Sequence, residues 1–335
     1  MSIALVTGGN AGIGEAVVRL LSKTPNFHVI VGSRNPDSGI ELANSLKKQG
    51  HSVSSVQLDI TSDDSINNAI DHITSVHGKL DVLVNNAGVA LDTKPDAFVS
   101  TRDLFSKTFN TNVFGTAALT EAALPLLQKG NHPRVIFLSS TMGSLEVSGN
   151  PDTFFYNNDY KAYDASKAAV NMLAVNYARI LKPFGGVSNA VCPGLVKTKM
   201  NGFMEAGEPV EVGAERVIQL ATAAPGGPSG TFSNREGAIP CLNGSAVRSD
   251  AAERKRYPRN GRNGAVIDHA GYGDLVQSTR KNHIRVAIDF VGKADRKIFG
   301  REAAEIYSTK VIWTDPVLRL TSRQIQCTGI LGTTV

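Results

Sequence analysis

The amino-acid sequence predicts an α/β fold in which helices cover both faces of a doubly wound parallel sheet. Short apolar runs alternate with amphipathic stretches along the first two-thirds of the chain, a pattern typical of βαβ units. A glycine-rich turn directly follows the first apolar run. Ligands of such sheets bind beyond the carboxyl ends of the strands. We therefore expect the functional residues in the turns that follow the strands.

The elements are predicted in chain order. Four of the six strands are wholly apolar, as strands buried on both faces often are, and the other two also contain polar residues; the six lie at Ile3–Val6, Val29–Val31, Val53–Leu58, Val82–Val84, Val135–Leu138 and Val187–Val191. The helices show apolar residues at spacings of three and four, and they lie at Ala16–Leu21, Ile40–Lys48, Ser65–His77, Asp103–Phe114, Ala117–Gln128 and around Tyr163.

Composition excludes several classes of protein. Of the 335 residues, 41% are hydrophobic and 19% are charged, as in ordinary globular domains. No apolar run approaches the ~18 residues of a membrane span. The three cysteines, Cys192, Cys241 and Cys327, are far apart and show no metal-ligand spacing. We predict a cytoplasmic protein without a metal site, a membrane segment or a nucleic-acid partner.

The amino-acid composition of the chain changes after Pro240. Residues 242–335 carry 16 of the 35 Lys and Arg residues but only 9 of the 30 Asp and Glu residues. Asn243–Gly264 has the composition of a linker, Ile284–Phe290 alternates like a strand, and Arg301–Tyr307 fits a short helix. We predict a folded domain at 1–241 and a basic, low-order extension at 242–335. Translated intron or frame-shifted sequence also explains this extension, and we favour that interpretation over native sequence.

The turn Thr7–Gly14 joins the first strand to the first helix with the spacing G-x-x-x-G-x-G. Gly8 permits a sharp turn, and Gly12 has no side chain to block an approaching pyrophosphate. Gly14 allows the helix to pack closely on the sheet. The free N–H groups of the helix N-terminus suit phosphates. The turn predicts dinucleotide binding.

The end of the second strand indicates which dinucleotide binds. An acidic residue here would bond the ribose 2′-hydroxyl of NAD, but the chain has Ser33 and Arg34. The guanidinium of Arg34 suits a 2′-phosphate, with Ser33 as an additional donor. We predict NADP(H), although Asp37 lies nearby and a plain surface arginine is the alternative.

Tyr163 and Lys167 lie four residues apart on a predicted helix, so that their side chains share one face. A neighbouring cation is expected to lower the pKa of the phenol and make it an acid/base catalyst near neutrality. Tyr156 and Tyr160 have no lysine four residues later. Tyr163 is therefore the candidate catalytic phenol.

Further polar residues follow the other strands. Asp59 is placed to bond an adenine amino group or to cap the next helix. Asn85–Gly88, Ser139–Ser140 and Cys192–Thr198 follow the fourth, fifth and sixth strands, and Asn112 lies inside a helical stretch. An amide is mildly unfavourable in a helix without a partner.

From Ser2 to about Pro240, these motifs together resemble the short-chain dehydrogenase/reductase family in its single-domain, Rossmann-type form. The shared features include Asn-Asn-Ala-Gly, Asn-x-x-Gly, paired serines, Tyr-x-x-x-Lys and Pro-Gly-x-Val-x-Thr. The resemblance implies a catalytic tetrad of Asn112, Ser140, Tyr163 and Lys167, with Ser140 preferred to Ser139. Together with the turns above, it predicts cofactor contacts from Gly8, Asn10, Gly12, Ile13, Gly14, Ser33, Arg34, Asp59, Ile60, Asn86, Ala87, Gly88, Tyr163, Lys167, Pro193, Gly194, Val196 and Thr198.

The resemblance further implies an NADPH-dependent reductase of ketones or aldehydes. An NADP-linked alcohol or sugar-alcohol dehydrogenase is one alternative, and a non-catalytic NADP(H) sensor is a second. The stretch Ser148–Tyr160, longer than in many members, is either a wall or lid of the substrate pocket or a plain surface loop. Because such an insert can cover the usual dimer helices, both a monomer and a homo-oligomer remain open.

Overall fold

The computed structural model describes residues 1–93 and 97–241. The strands in this part of the chain are β1 (Ser2–Thr7), β2 (Phe27–Ser33), β3 (Val53–Gln57), β4 (Val82–Asn85), β5 (Arg134–Leu138), β6 (Val187–Val191), β7 (Phe232–Asn234) and β8 (Gly237–Ala238). The helices are α1 (Gly12–Ser22), α2 (Pro36–Lys48), α3 (Asp63–His77), α4 (Thr101–Phe109), α5 (Thr116–Leu127), α6 (Leu145–Ser148), α7 (Lys161–Leu181) and α8 (Val210–Ala221).

The described strands form one sheet in the order β3-β2-β1-β4-β5-β6-β7-β8. All neighbouring pairs are parallel except β7 and β8. The order reverses direction at β1, where the chain crosses from β3 to β4, so the sheet is doubly wound. The predicted fold class is confirmed for this part of the chain.

Two apolar cores lie on opposite faces of the sheet. Because successive side chains of a strand point to opposite faces, Leu5 belongs to one core and Val6 to the other. The first core includes residues of α3, α5 and α7, and the second includes residues of α1, α2 and α8. Burial on both faces explains why strands such as β1 and β4 are nearly continuous apolar runs.

Besides the short helix α6, which was not predicted, the structure departs from the predicted elements in two regions. The helix predicted at Asp103–Phe114 is α4 followed by a π-helical turn at Asn110–Gly115, which leads directly into α5. No element was predicted between β6 and Pro240, where the structure has α8, β7 and β8. The two strands are too short to show a period. Helix α8 has no side-chain cap at Pro209 and carries Gly213 in its first turn, which weakens its helical signal.

Within the described residues, no helix combines the length and the apolarity needed to cross a bilayer. The strand predicted at Ile284–Phe290 and the helix predicted at Arg301–Tyr307 lie outside the described residues. The boundary at residue 241 therefore stays a prediction.

Candidate active site

The carboxyl ends of the parallel strands bring the predicted residues to one edge of the sheet. The turn after β1 uses glycine where no other residue fits. Gly8 and Gly12 have φ angles of 59° and 55°, which favour glycine. A Cβ on Gly14 would lie 2.3 Å from the carbonyl oxygen of Gly8, so α1 packs closely on the turn, as predicted from the spacing.

The start of α1 can receive an anion. Its N-cap residue, Ala11, has no side-chain acceptor for the first-turn N–H groups. By contrast, α2, α3 and α4 are capped by Asn35, Ser62 and Ser100. Uncapped N–H groups behind a glycine turn are a suitable site for a pyrophosphate. The chain therefore fits a dinucleotide at this position.

Asn86 stabilises the glycine turn after β1 by hydrogen bonds to its backbone. Its side-chain nitrogen donates to the carbonyl oxygens of Thr7 and Gly8, at 2.8 and 3.3 Å. The Thr7 hydroxyl oxygen accepts from the backbone N–H groups of Asn86 and Ala87, both at 2.9 Å. The side chain of Asn86 thus ties β4 to the turn after β1, which leaves backbone atoms of Ala87 and Gly88 as the groups that can face a cofactor.

At the end of β2, the two residues predicted to bind a 2′-phosphate, Arg34 and Ser33, differ in exposure and in hydrogen bonding. The side chain of Arg34 is exposed and, among the residues that the structure describes, forms no ion pair, including with Asp37. Ser33 is only 1% exposed, and its hydroxyl donates to the Asn35 carbonyl at 2.7 Å. The Ser33 hydrogen is thus used within its own turn, and its role as an additional donor to a 2′-phosphate stays a prediction.

Asn10 and Asp59 lie on either side of this region. The Asn10 side chain donates to the Ser38 hydroxyl at 3.1 Å, which links the glycine turn to α2. The Asp59 carboxylate accepts from the N–H and hydroxyl of Thr61, at 2.9 and 2.7 Å. Ser62, not Asp59, caps α3.

Ile60 is buried, and its carbonyl would lie 2.1 Å from a Cβ on Gly115. Its side chain therefore belongs to the core, and only its backbone is available to a cofactor.

The four residues of the predicted tetrad converge at the carboxyl edge. The Lys167 ammonium lies 5.5 Å from the centre of the Tyr163 ring and donates to the Leu138 carbonyl at 2.8 Å. A Cβ on Gly88 would lie 3.2 Å from Asn112 Oδ1 and 3.5 Å from Lys167 Nζ. Gly88 is therefore the close-approach position at which the turn after β4 meets the site.

Asn112 connects the turn after β4 to α7. It lies in the π-helical turn and is 1% exposed. Its amide oxygen accepts from Val89 N–H, and its nitrogen donates to the Val89 carbonyl and to the Ser166 hydroxyl, at 2.8, 2.8 and 2.9 Å. Ser166 in turn donates to the Tyr163 carbonyl at 2.6 Å. The buried amide thus has the partners that a helical asparagine needs.

The paired serines have different surroundings. Ser139 is buried, and its hydroxyl donates to the Lys167 carbonyl at 3.2 Å. Ser140 is half-buried and accepts from Met142 N–H at 3.2 Å. Since accepting that bond leaves the Ser140 hydrogen free to donate, Ser140 is the better placed of the two to bind a substrate.

The loop after β6 lies over the glycine turn. A Cβ on Gly12 would be 3.6 Å from the methyl group of Thr198, and Val196 is buried against Gly213 of α8. The Cys192 sulfur accepts from the N–H groups of Thr141 and Gly194, at 3.2 and 3.4 Å. Cys192 therefore connects the loop after β5 to the loop after β6, directly before Pro193 and Gly194.

Burial controls the proton affinities of the Tyr163–Lys167 pair. It raises the pKa of Tyr163 above its ordinary value, with Cys192 adding to the rise and a hydrogen bond with Ser140 partly offsetting it. The expectation that Lys167 lowers the pKa of Tyr163 is not met, because desolvation is the largest influence on the phenol and raises its pKa. Burial also lowers the pKa of Lys167 to about 8. The phenol is therefore held in its protonated, donating form.

Comparison with known proteins identifies the family. A family model described as short chain dehydrogenase matches residues 2–209. The chain belongs to the short-chain dehydrogenase family. Members of this family are oxidoreductases that use a nicotinamide cofactor, and the fold described above is the Rossmann-type fold of the family.

Relatives and solved structures resemble this short-chain dehydrogenase over most of their length. The short-chain dehydrogenase/reductase ATR10 of Stachybotrys chlorohalonatus is 37% identical over 252 residues, covering 70% of this chain and 88% of the relative. Salutaridine reductase of Papaver bracteatum is 31% identical over 295 residues, covering 69% and 94%. The structure of NADPH-bound carbonyl reductase from chicken fatty liver matches with a TM-score of 0.63 and 28% identity, covering 72% and 100%.

Three residues of this short-chain dehydrogenase contribute to the site without having been predicted. Cys192 and Ser166 make the contacts described above, and Asp92 bonds the start of α7. No local pattern identifies Asp92, because its partners lie 70 and 71 residues away in the sequence. Among the described residues, no group of three His, Cys, Asp or Glu side chains could hold a metal ion.

The insert Ser148–Tyr160 begins at the last residue of α6 and continues mainly as a series of turns. It leaves Phe154 78% exposed and Tyr156 46% exposed. A pocket wall or lid and a plain surface loop both remain compatible with this arrangement.

Proposed function

We propose that this short-chain dehydrogenase is an NADPH-dependent reductase of ketones or aldehydes. The observation that carries the proposal is the convergence of Asn112, Ser140, Tyr163 and Lys167 at the edge of the sheet that bears the glycine turn. The names of two of the proteins described above, salutaridine reductase and carbonyl reductase, support reduction.

Each of the four residues has a separate role in the proposed reaction. A nicotinamide cofactor held beside the glycine turn would supply the hydride that the carbonyl carbon accepts. The Ser140 hydroxyl donates to the carbonyl oxygen and so polarises it. Tyr163, whose raised pKa keeps its proton in place, gives that proton to the oxygen as negative charge develops there. Lys167 holds the ribose hydroxyls and provides positive charge beside the phenol, and Asn112 fixes the loop after β4 against α7.

Arg34 supports NADPH over NADH, because its exposed guanidinium suits a 2′-phosphate. Replacing it with alanine is expected to weaken NADPH binding about 10- to 100-fold and to leave NADH binding within about twofold, since a hydrogen bond to a charged group contributes ~1.5–3 kcal/mol. Fluorescence titration with each cofactor measures this. Arg179→Ala, which removes an exposed arginine at the far end of α7, is the matched control. Equal losses for both cofactors in Arg34→Ala would argue against a 2′-phosphate contact.

The activity is tested by following NADPH consumption by the purified full-length chain with a panel of aldehydes, ketones, quinones and sugars. Consumption with at least one carbonyl is the expected result. Turnover only of alcohols with NADP⁺ would favour the dehydrogenase alternative. Tight NADPH binding without turnover of any compound would instead favour a cofactor sensor and overturn the proposal.

A further inference from the structure

Helix α7, which carries Tyr163 and Lys167, begins without a local cap. Its N-cap residue is Tyr160, with φ −110° and ψ 42°, and the tyrosine side chain makes no capping hydrogen bond. The first N–H groups of a helix have no partner within the helix and need an acceptor when they are buried. The start of the catalytic helix therefore depends on a residue from elsewhere.

Asp92 supplies that acceptor. One carboxylate oxygen accepts from Ala162 N–H at 2.9 Å, and the other accepts from Tyr163 N–H at 3.0 Å. Ala162 and Tyr163 are the second and third residues of α7, the positions that a local N-cap side chain bonds. Asp92 is 6% exposed, so water competes little for its oxygens. A carboxylate at this position also interacts favourably with the helix dipole.

Both backbone polar groups of Tyr163 are thereby bonded by side chains. Its N–H donates to Asp92, and its carbonyl accepts from Ser166, which in turn is bonded to Asn112. Asp92 and the Val89 partner of Asn112 both belong to the segment that follows β4. One segment thus holds the first turn of α7 at two points, directly above the residue whose phenol must reach the substrate oxygen.

We propose that Asp92 is a positioning residue for the reaction, and that its carboxylate holds the first turn of α7 so that Tyr163 is in place to transfer its proton. The proposal rests on the proposed function of Tyr163. It predicts an effect on the chemical step rather than on cofactor binding, because Asp92 bonds only the backbone of the helix. Displacing a catalytic group by about 1 Å can reduce the rate about 100-fold.

The test compares Asp92→Asn with Ser100→Ala. The asparagine has nearly the same shape and keeps one oxygen acceptor, but its amide nitrogen cannot accept from the second backbone N–H. Ser100 caps α4 by accepting from Asp103 N–H at 3.1 Å, so its replacement removes a cap from a helix that carries no proposed catalytic residue. Asp92→Ser, which keeps one oxygen acceptor, provides the measurement if the asparagine variant does not fold.

Hydrogen exchange by NMR and steady-state kinetics on the full-length protein separate the two parts of the proposal. We expect faster exchange of at least one of the Ala162 and Tyr163 amides in Asp92→Asn, a kcat about 10- to 100-fold lower, and an NADPH Kd within about twofold of wild type. Ser100→Ala should have a lower unfolding midpoint with unchanged kcat.

Unchanged exchange, or a wild-type kcat in the Asp92 variant, would overturn the positioning role. An equal loss of kcat in Ser100→Ala would overturn it too, because the effect would then be one of general stability. If wild type itself reduces no carbonyl, the proposed function fails while the exchange data still decide whether Asp92 caps α7.

Discussion

Tyr163→Phe is expected to lower kcat for carbonyl reduction by at least about 10³-fold while the Kd for NADPH stays within about twofold of wild type. The phenylalanine keeps the ring and its packing and removes only the hydroxyl. General acid catalysis by a positioned side chain contributes typically ~10²–10⁴-fold. Burial keeps the Tyr163 phenol protonated. The phenylalanine variant therefore has no hydroxyl to give a proton to the substrate oxygen. Steady-state kinetics and cofactor titration on the same preparation measure the two quantities.

Tyr156→Phe is the matched control for this substitution. Tyr156 lies in the nearby insert, has no lysine four residues later, and is 46% exposed. Its variant should retain kcat within a few-fold. Turnover that persists in Tyr163→Phe, or a comparable loss in the control, would show that the phenol is not the acid.

Lys167→Met is expected to lower kcat/KM by about 10³-fold and, unlike the tyrosine variant, to weaken NADPH binding about 10-fold. The ammonium is buried, donates to the Leu138 carbonyl and lies 5.5 Å from the centre of the Tyr163 ring. Methionine fills similar space without the charge or the donors, so both the ribose contact and the positive charge beside the phenol are lost. Kinetics and cofactor titration measure the two effects.

The control for this substitution is Lys161→Met on the same helix. Lys161 is exposed and pairs with Asp159 at 2.9 Å, and such surface pairs contribute little. Its variant should keep wild-type kcat/KM and NADPH affinity. A Lys167 variant that binds NADPH normally would contradict the proposed ribose contact.

The pH dependence of kcat/KM reports on the same lysine. Burial lowers the pKa of Lys167 to about 8, and an amine loses its charge as pH rises through its pKa. The cationic form is therefore present below about pH 8 and disappears above it, so kcat/KM should fall through that region. A pH–rate profile of the free enzyme measures this value. A profile that declines only near the ordinary lysine pKa of ~10.4 would contradict it.

The sheet and the convergence of the site were predictable because their signals are local. Apolar strands such as Val82–Val84, the glycine spacing after β1 and the Tyr163–Lys167 spacing each lie within a few residues. The order of these motifs also places their side chains at one edge of a parallel sheet. Elements with weak local signals were not predicted. Strands β7 and β8, which have three and two residues, are examples.

The remaining differences come from tertiary surroundings that a sequence does not display. A cation four residues away suggests a lowered phenol pKa, but burial of the phenol raises its pKa. Ser33 looks like a free donor until its turn brings it to the Asn35 carbonyl. The cap of α7 comes from Asp92, far away in the chain. The Ser33 contact is made two residues away, whereas the burial of Tyr163 and the cap of α7 involve residues that are distant in the sequence.

The central claim, that NADPH reduces a carbonyl with Tyr163 as the acid, is tested most directly by isotope transfer. A carbonyl that supports NADPH consumption is incubated with wild-type protein and NADPH deuterated at C4 of the nicotinamide ring, and the alcohol product is analysed by mass spectrometry. We predict deuterium on the former carbonyl carbon with wild type and no product above background with Tyr163→Phe. The claim would be contradicted if the product carried no deuterium, whichever of the two C4 hydrogens of NADPH was labelled. It would also be contradicted if the variant formed the labelled product as well as wild type does.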